Sequence, residues 1–186
     1  MGAPREIGIQ GYSKSAFYPL LSFNSCTMSL LSKIGSEDTC RWVDCSDGKV
    51  PEDAVAGGKD SGETLFVGRA EHEGDALPGK VVPSHKVCYV AYGGSEHAKS
   101  SYQVLVPQQK NKFDWIPESG GRLPPDAVLG GMTKSGEPLY IGRTSHNGTT
   151  TNGKIHRSHG CLYIPYGGQE HAYRDYEVLV CRPTES

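Results

Sequence analysis

The chain has 186 residues and a formal net charge of −2, with 19 basic and 21 acidic side chains interspersed along it. Nucleic-acid-binding proteins usually show a basic stripe, so we expect no nucleic-acid partner for a chain with this nearly neutral net charge. No apolar run is long enough to predict a membrane-spanning helix. The 24 glycines, 12 prolines and 10 tyrosines favour a β-protein with many tight turns.

Residues 1–40 have no counterpart later in the chain and are interpreted as an N-terminal extension. Two interpretations are open: a partly disordered segment, or an alternative start upstream of a shorter product beginning at Met28. A helix-like stretch follows from Ser29 to Ile34. The apolar stretch Ala16 to Phe23 starts late and contains Pro19, so it makes a poor signal peptide. We therefore expect a cytoplasmic protein, and any release would not use a classical signal peptide.

The rest of the chain is a duplication. Residues 41–107 form a first repeat and residues 115–181 a second, with a linker at 108–114 and a tail at 182–186. Two copies rarely make a stable solenoid. We therefore expect an all-β fold in which the repeats pack with pseudo-two-fold symmetry, and strand exchange between the halves is compatible with this arrangement. Such symmetry predicts two equivalent sites, which suits a binding protein better than an enzyme with one pocket.

Three pairs of β-rich runs occupy the same places in the two repeats. The first run of each repeat follows a Ser-Gly-Glu turn signal, the second closes on Gly-Gly, and the third alternates enough to be half-buried. The runs are Thr64 to Arg69 with Pro138 to Arg143, Val87 to Tyr92 with Cys161 to Tyr166, and Tyr102 to Val106 with Tyr176 to Val180. The doublets Gly57-Gly58 and Gly130-Gly131 predict either positive φ or close backbone approach.

Six of the seven histidines pair across the repeats: His72 with His146, His85 with His159, and His97 with His171. No Cys-x-x-Cys or His-Glu-x-x-His spacing accompanies them. His97 and His171 each follow a glutamate directly, so the glutamate and histidine side chains would point to opposite faces of a strand. We expect the rings to tie loops to the backbone, with no metal and no cofactor, and a metalloenzyme is the minor alternative.

No catalytic nucleophile is arranged in the sequence. The Gly-x-Ser-x-Gly motif is absent. Ser84-His85 and Ser158-His159 are neighbours in sequence, which is not the geometry of a Ser–His catalytic pair. We therefore expect no enzymatic activity.

Six cysteines allow fifteen full pairings, among which the sequence does not choose. Buried free thiols in a reducing cytosol are the favoured interpretation. In an oxidising space, Cys40, Cys45 and Cys181, which flank the repeats, could form a staple.

A small polar set recurs in loops next to strands. Asp60 follows the first Gly-Gly doublet, Lys80 follows Gly79, and its counterpart Lys154 follows Gly153. A carboxylate accepts hydrogen bonds and an ammonium donates them, so together they can bind adjacent hydroxyls of a sugar, while an aromatic ring can stack on its C–H face. The alternative is an ordinary surface salt bridge.

The repeated motif is long and specific. In the first copy it runs Gly57-Gly58…Gly62-Glu63…Leu65-Phe66-Val67-Gly68-Arg69-Ala70…His72…Gly74…Pro78-Gly79-Lys80…Pro83-Ser84-His85…Tyr89…Tyr92-Gly93-Gly94…Glu96-His97, and it ends with Tyr102 to Val106. This string resembles the DM9 (DM-nine) repeat, which occurs in tandem in invertebrate proteins, including mannose-binding bivalve lectins acting in pathogen recognition. The resemblance covers both repeats, from Trp42 to Val180.

The resemblance implies a β-rich fold of two interlocked repeats, mannose recognition through an Asp and a Lys, and a role in innate immunity. The Asp falls on Asp60 and the Lys on Lys80. In the second repeat the Lys is kept as Lys154, but the Asp position is Thr133, whose hydroxyl brings no charge. We therefore expect the second pocket to be weaker or altered. A one-residue deletion beside Asp60 also changes the loop there.

The resulting hypothesis is a mannose-type lectin that recognises microbial surface glycans. Asp60 and Lys80 would form the main carbohydrate-binding site, Thr133 and Lys154 a second one, and a homodimer would double both and add avidity. The alternative is an intracellular interaction module that responds to stress or infection and binds no sugar. Saturable sugar binding distinguishes the two.

Overall fold

The computed structural model describes residues 40–108 and 111–184. The predicted N-terminal extension, with its helix-like stretch, lies almost wholly outside them. The described residues are β-strands and turns, which confirms the all-β prediction. The first repeat contains β1 (Cys40–Ser46), β2 (Ala56–Asp60), β3 (Glu63–His72), β4 (Asp75–Val82), β5 (Val87–Tyr92), β6 (Ser95–Lys99) and β7 (Ser101–Pro107).

The second repeat contains the same elements in the same order. They are β8 (Asn111–Ser119), β9 (Leu129–Met132), β10 (Pro138–His146), β11 (Thr149–His156), β12 (Cys161–Tyr166), β13 (Gln169–Tyr173) and β14 (Asp175–Pro183). A short 3-10 turn follows β4 at Pro83–His85 and follows β11 at Arg157–His159. Strand β8 begins inside the predicted linker, where Asn111 pairs with Pro183 of β14.

The two repeats interlock within one sheet. Strand β2 pairs with β11, β9 pairs with β4, and β6 pairs with β13, so three joints connect the halves. Strands β3, β2, β11, β12, β13, β6, β5 and β4 close into a ring through the β3–β4 pairing. Strands β1 and β8, at the two ends of the sheet order, pair with β7 and β14. Neither repeat therefore completes the ring alone.

The glycine doublets make two of these joints possible. A Cβ added to Gly58 would overlap the carbonyl oxygen of Thr150 on β11, and one added to Gly131 would overlap that of Ala76 on β4. Neither glycine is among the residues with positive φ. Of the two roles that the sequence leaves open for the doublets, the structure shows close backbone approach.

The central apolar cluster is built equally from both repeats. Val67 and Leu105 of the first copy pack with Ile141 and Leu179 of the second, all of them fully buried. Trp42 packs against the same cluster. Because these side chains lose contact with water only when the halves are joined, their burial stabilises the pair rather than either copy.

Candidate functional site

Lys80 lies on β4 and is one of the few buried charged residues, at 5% exposure. Its ammonium lies 3.5 Å from Oε1 of Glu96 on β6. Burial lowers the pKa of Lys80, and Glu96 and Asp60 oppose that shift. The ammonium is thus held where a hydrogen bond to a ligand would be strengthened by low local dielectric.

Asp60 and Lys80 line one cleft of about 350 Å³. Asp60 ends β2 and pairs with Glu63 across the Ser61-Gly62 turn. Its Oδ1 accepts a hydrogen bond from Ser61 Oγ at 2.9 Å. Asp60 and Lys80, which lie on different strands, are therefore brought to the same cleft. We call the cleft around Lys80 the first site.

Two tyrosine rings flank the Lys80 ammonium. Its Nζ lies 4.9 Å from the ring centroid of Tyr166 and 5.6 Å from that of Tyr89. Both tyrosines line the first site, which gives it aromatic surface beside the charged groups. Tyr89 lies on β5 of the same repeat, whereas Tyr166 lies on β12 of the other. Tyr166 was not predicted as a site residue, although the matched Tyr-Gly-Gly strings at 92–94 and 166–168 mark its position in the sequence.

The partner carboxylate of each lysine also binds the opposite repeat. Glu96 Oε2 accepts a hydrogen bond from the Gly168 N–H at 2.7 Å, and Glu170 Oε1 accepts one from the Gly94 N–H at 3.3 Å. The backbone of each glutamate adds a bond, from Glu96 N to Gly168 O at 3.1 Å and from Glu170 N to Gly94 O at 3.0 Å. Each site is therefore completed by a turn from the other copy.

The second site surrounds Lys154 on β11 and repeats most of this geometry. The Lys154 ammonium lies 3.3 Å from Glu170 Oε2, and 5.5 and 5.4 Å from the ring centroids of Tyr92 and Tyr163. It also donates a hydrogen bond of 2.6 Å to the carbonyl oxygen of Ala91. The lysine, its carboxylate and two tyrosines are thus common to both sites.

Thr133 occupies the place of Asp60 but differs in its contacts. The Glu137 N–H donates to Thr133 Oγ1 at 2.9 Å, and Ser135 Oγ lies 2.9 Å from the same oxygen. The hydroxyl is therefore used within its own loop, which is one residue longer than the turn after Asp60. That the second pocket is weaker or altered stays a prediction.

A glutamate fixes the 3-10 turn beside each site. Glu63 Oε1 accepts the Ser84 N–H at 2.9 Å and Oε2 accepts the Ser84 hydroxyl at 2.6 Å. Glu137 does the same for Ser158, at 3.0 and 2.8 Å. The Ser84 hydroxyl, and then its N–H, lower the pKa of Glu63 because both bonds favour the carboxylate.

This hydrogen bonding predicts an acid dependence of stability. The folded pKa of Glu63 is below its ordinary value of 4.5, so the stabilisation is present above that value and is lost as the pH falls through the folded pKa. Between about pH 5 and 3, the free energy of unfolding of wild type should therefore fall more steeply than that of Glu63→Gln. Urea unfolding at stepped pH measures this difference. Ser84→Ala, which removes one donor, should be intermediate, and parallel curves for wild type and Glu63→Gln would contradict the assignment.

The paired histidines contact neighbouring loops and rings. His97 Nε2 donates to the carbonyl oxygen of Tyr92 at 3.0 Å, and His171 Nε2 donates to that of Tyr166 at 3.1 Å. For these two residues the predicted tie to the backbone is confirmed. His85 Nδ1 instead lies 3.1 Å from the Tyr89 hydroxyl. Across residues 40–108 and 111–184, no group of three or more His, Cys, Asp or Glu residues is placed to hold a metal ion.

A bilayer-crossing helix would have to be long and apolar, and the described part of the chain contains none.

Comparison with known proteins identifies relatives by sequence and by fold. Natterin-3 of Thalassophryne nattereri is 34% identical over 93 residues, which cover 50% of this chain and 23% of that protein. Natterin-4 of the same organism is 28% identical over 154 residues, which cover 79% of this chain and 35% of that protein. The chain thus spans about a third or less of the length of these relatives.

The crystal structure of the nematode sperm cell motility protein MFP2B aligns with a TM-score of 0.62 at 17% identity, over 81% of this chain and 48% of that one. This likeness shows a shared fold. The profile of the DM9 repeat matches residues 59–173, which is more than half of the chain. The protein therefore belongs to the DM9 repeat family.

Proposed function

We propose that this protein is a mannose-type lectin that recognises microbial surface glycans in innate immunity. The observation that supports the proposal is the meeting of Asp60 and Lys80 in one cleft with two tyrosine rings. Membership of the DM9 repeat family is consistent with a lectin-like role.

The groups of the first site suit a hexose. The Asp60 carboxylate accepts hydrogen bonds from sugar hydroxyls, and the Lys80 ammonium donates one, so adjacent hydroxyls can be bound by the two groups together. Tyr89 and Tyr166 offer ring surface to the sugar's C–H face. Because the Lys80 ammonium is already buried beside Glu96, little side-chain entropy is lost when a sugar binds.

Two sites on one rigid core would provide avidity. Repetitive glycans can engage the first site around Lys80 and the second site around Thr133 and Lys154 at once, and a homodimer would double this number. Each site alone is expected to bind weakly. The biological target is therefore proposed to be a surface with many sugars, not a single free one.

We propose binding without catalysis. The Ser84 hydroxyl donates to Glu63 at 2.6 Å, and His85 Nδ1 lies beside the Tyr89 hydroxyl, so this serine and histidine are each committed to other partners. The same arrangement recurs at Ser158 and His159. These contacts support a structural role for both residues in place of a nucleophile and its base.

A cytoplasmic location is part of the proposal. Cys45, Cys88 and Cys161 carry free thiols, and reducing compartments keep thiols in this form. Burial raises the pKa of the Cys88 thiol, which keeps it protonated and inert.

The substitution Asp60→Asn tests the function directly. It keeps the shape of the side chain and removes its charge, so affinity for methyl α-mannoside should fall about tenfold or more because a charge-assisted hydrogen bond is lost. Isothermal calorimetry measures the affinity, and thermal unfolding verifies that the variant is folded. Thr133→Val is the matched control in the other repeat and should leave the stronger site unchanged.

Three results would count against the proposal. Asp60→Asn could bind the mannoside as tightly as wild type, which would remove the site assignment. Wild type could bind the mannoside only through the second site, which would contradict the assignment of the first site as the stronger one. Wild type could show no saturable sugar binding at all, which would favour the intracellular interaction module.

A further inference from the structure

Two histidines contact Tyr166, the tyrosine that the second repeat contributes to the first site. The His146 ring meets the Tyr166 ring edge to face, with centroids 4.6 Å apart. His171 Nε2 donates to the carbonyl oxygen of Tyr166 at 3.1 Å, and its ring centroid lies 4.5 Å from that of His146. The same tyrosine ring lies 4.9 Å from the Lys80 ammonium. Tyr166 therefore connects the first site to a pair of imidazoles.

The contacts of His146 fit a neutral ring. Its Nε2 lies 3.2 Å from Nδ2 of the Asn147 amide, which is an N–H donor, so Nε2 is the acceptor. Nδ1 then carries the proton and donates to the Tyr173 hydroxyl. Only 8% of the residue is exposed. A second proton would have to enter at Nε2, where it would meet the Asn147 N–H with little water to solvate the new charge.

The surroundings of His146 also disfavour a positive charge. Burial lowers its pKa from the ordinary value of 6.5, and His171 and then Lys80 lower it further. The titratable groups around the ring come from three strands and include no carboxylate: Lys80 of β4, Tyr166 of β12, and His171 and Tyr173 of β13.

The matching histidine of the first repeat has partly compensated surroundings. The His72 ring lies 4.0 Å from that of His97 and 5.0 Å from that of Tyr92, so the pair of imidazoles beside a tyrosine recurs. Burial and then His97 lower the pKa of His72, but Glu73 and Asp75 oppose this shift. A charge is therefore least tolerated at His146, the histidine that contacts the first site's tyrosine.

We propose that His146 and His171 are positioning residues for the first site, and that proton uptake by His146 displaces Tyr166 and weakens sugar binding in acid. A charged His146 ring is repelled by the Lys80 ammonium and loses its bond from Asn147, so the ring turns away and Tyr166 loses its edge-to-face support. The first site then keeps its charged groups but loses ring surface for a sugar's C–H face. This inference rests on the proposed sugar binding and adds its regulation by pH.

Mannoside affinity at two pH values tests the proposal. Calorimetry on the full chain should show the affinity of wild type for methyl α-mannoside falling about fivefold between about pH 7.5 and 5. In His146→Gln, whose amide keeps a donor and an acceptor but does not titrate, most of this fall should disappear. His72→Gln is the matched control beside Tyr92 of the second site, and its affinity should fall as that of wild type does.

The direction of the coupling is tested by NMR titration of the His146 ring. Because His171 lowers the pKa of His146, the half-buried substitution His171→Gln should raise the midpoint of His146 and move the fall in affinity to higher pH. Saturating mannoside should lower the midpoint in wild type, since coupling between a proton and a sugar is reciprocal. A midpoint that moves with neither change would overturn the inference.

A measurement without sugar separates this inference from the proposed function. The folded pKa of His146 is below 6.5, so as the pH falls the unfolded state takes up the proton first, and the free energy of unfolding should decrease below about pH 6.5. Urea unfolding should show a smaller decrease for His146→Gln, and equal decreases would overturn the assignment of His146 as a buried neutral group.

The remaining outcomes concern sugar binding itself. Mannoside affinity that falls equally in wild type and His146→Gln would overturn the inference and leave the proposed function intact. Absence of mannoside binding at both pH values would contradict the proposed function, and the inference with it.

Discussion

Gly58→Ala should lower the free energy of unfolding by about 3 kcal/mol, one of the largest effects of any single methyl group in this chain. The added Cβ would overlap the Thr150 carbonyl oxygen of β11, and a backbone atom cannot rotate away as a side chain can. Lys59 and Thr150 form the register pair of this joint, so the strands must separate locally. Urea unfolding measures the loss, and amide exchange should localise it to β2 and β11.

Gly62→Ala is the control for backbone conformation. Gly62 has a φ of +89° and nothing within 4 Å of an added Cβ, so only left-handed strain is introduced, worth about 1 kcal/mol. Gly131→Ala, the symmetric change against Ala76, should match Gly58→Ala. Equal losses for Gly58→Ala and Gly62→Ala would contradict close approach as the reason for the first doublet.

The duplication made the strands predictable, because a run that recurs at the same place in two copies is supported twice. The matched runs Thr64 to Arg69 and Pro138 to Arg143 fall within β3 and β10. The strand pairings that join the two repeats were harder to predict from the sequence. The contact of Gly58 with Thr150 depends on which strand edges meet, and the sequence left its glycine doublets with two possible roles.

The charged residues that line the first site could be predicted from the sequence, whereas the residue that the other repeat contributes could not. Asp60 and Lys80 were expected to act together, and the structure places them at one cleft. Tyr166 escaped notice because it comes from the other repeat, and a residue supplied across a pseudo-two-fold axis has no local signal near the site. Glu96 was seen as the neighbour of His97, whereas its carboxylate joins Lys80 to the Gly168 turn.

Because Glu96 joins Lys80 to the Gly168 turn, we expect a second large loss of stability in the variant Lys80→Met. The substitution removes the ammonium and leaves the Glu96 side chain, only 10% exposed, without its counter-ion. Breaking a buried ion pair from one side is strongly destabilising, so the free energy of unfolding should fall by about 3 kcal/mol. Urea unfolding measures this loss, and mannoside binding should disappear with it.

A second substitution separates the two losses. In Lys80→Met combined with Glu96→Gln, the buried charge is gone, the Gln amide oxygen can still accept the Gly168 N–H, and most of the stability should return. Mannoside binding should not return, since no group replaces the Lys80 donor. If the double variant binds the mannoside as wild type does, Lys80 does not contact the sugar. If Lys80→Met alone is as stable as wild type, the pair is not held in a dry environment, and the strengthened hydrogen bond proposed for the first site is lost with it.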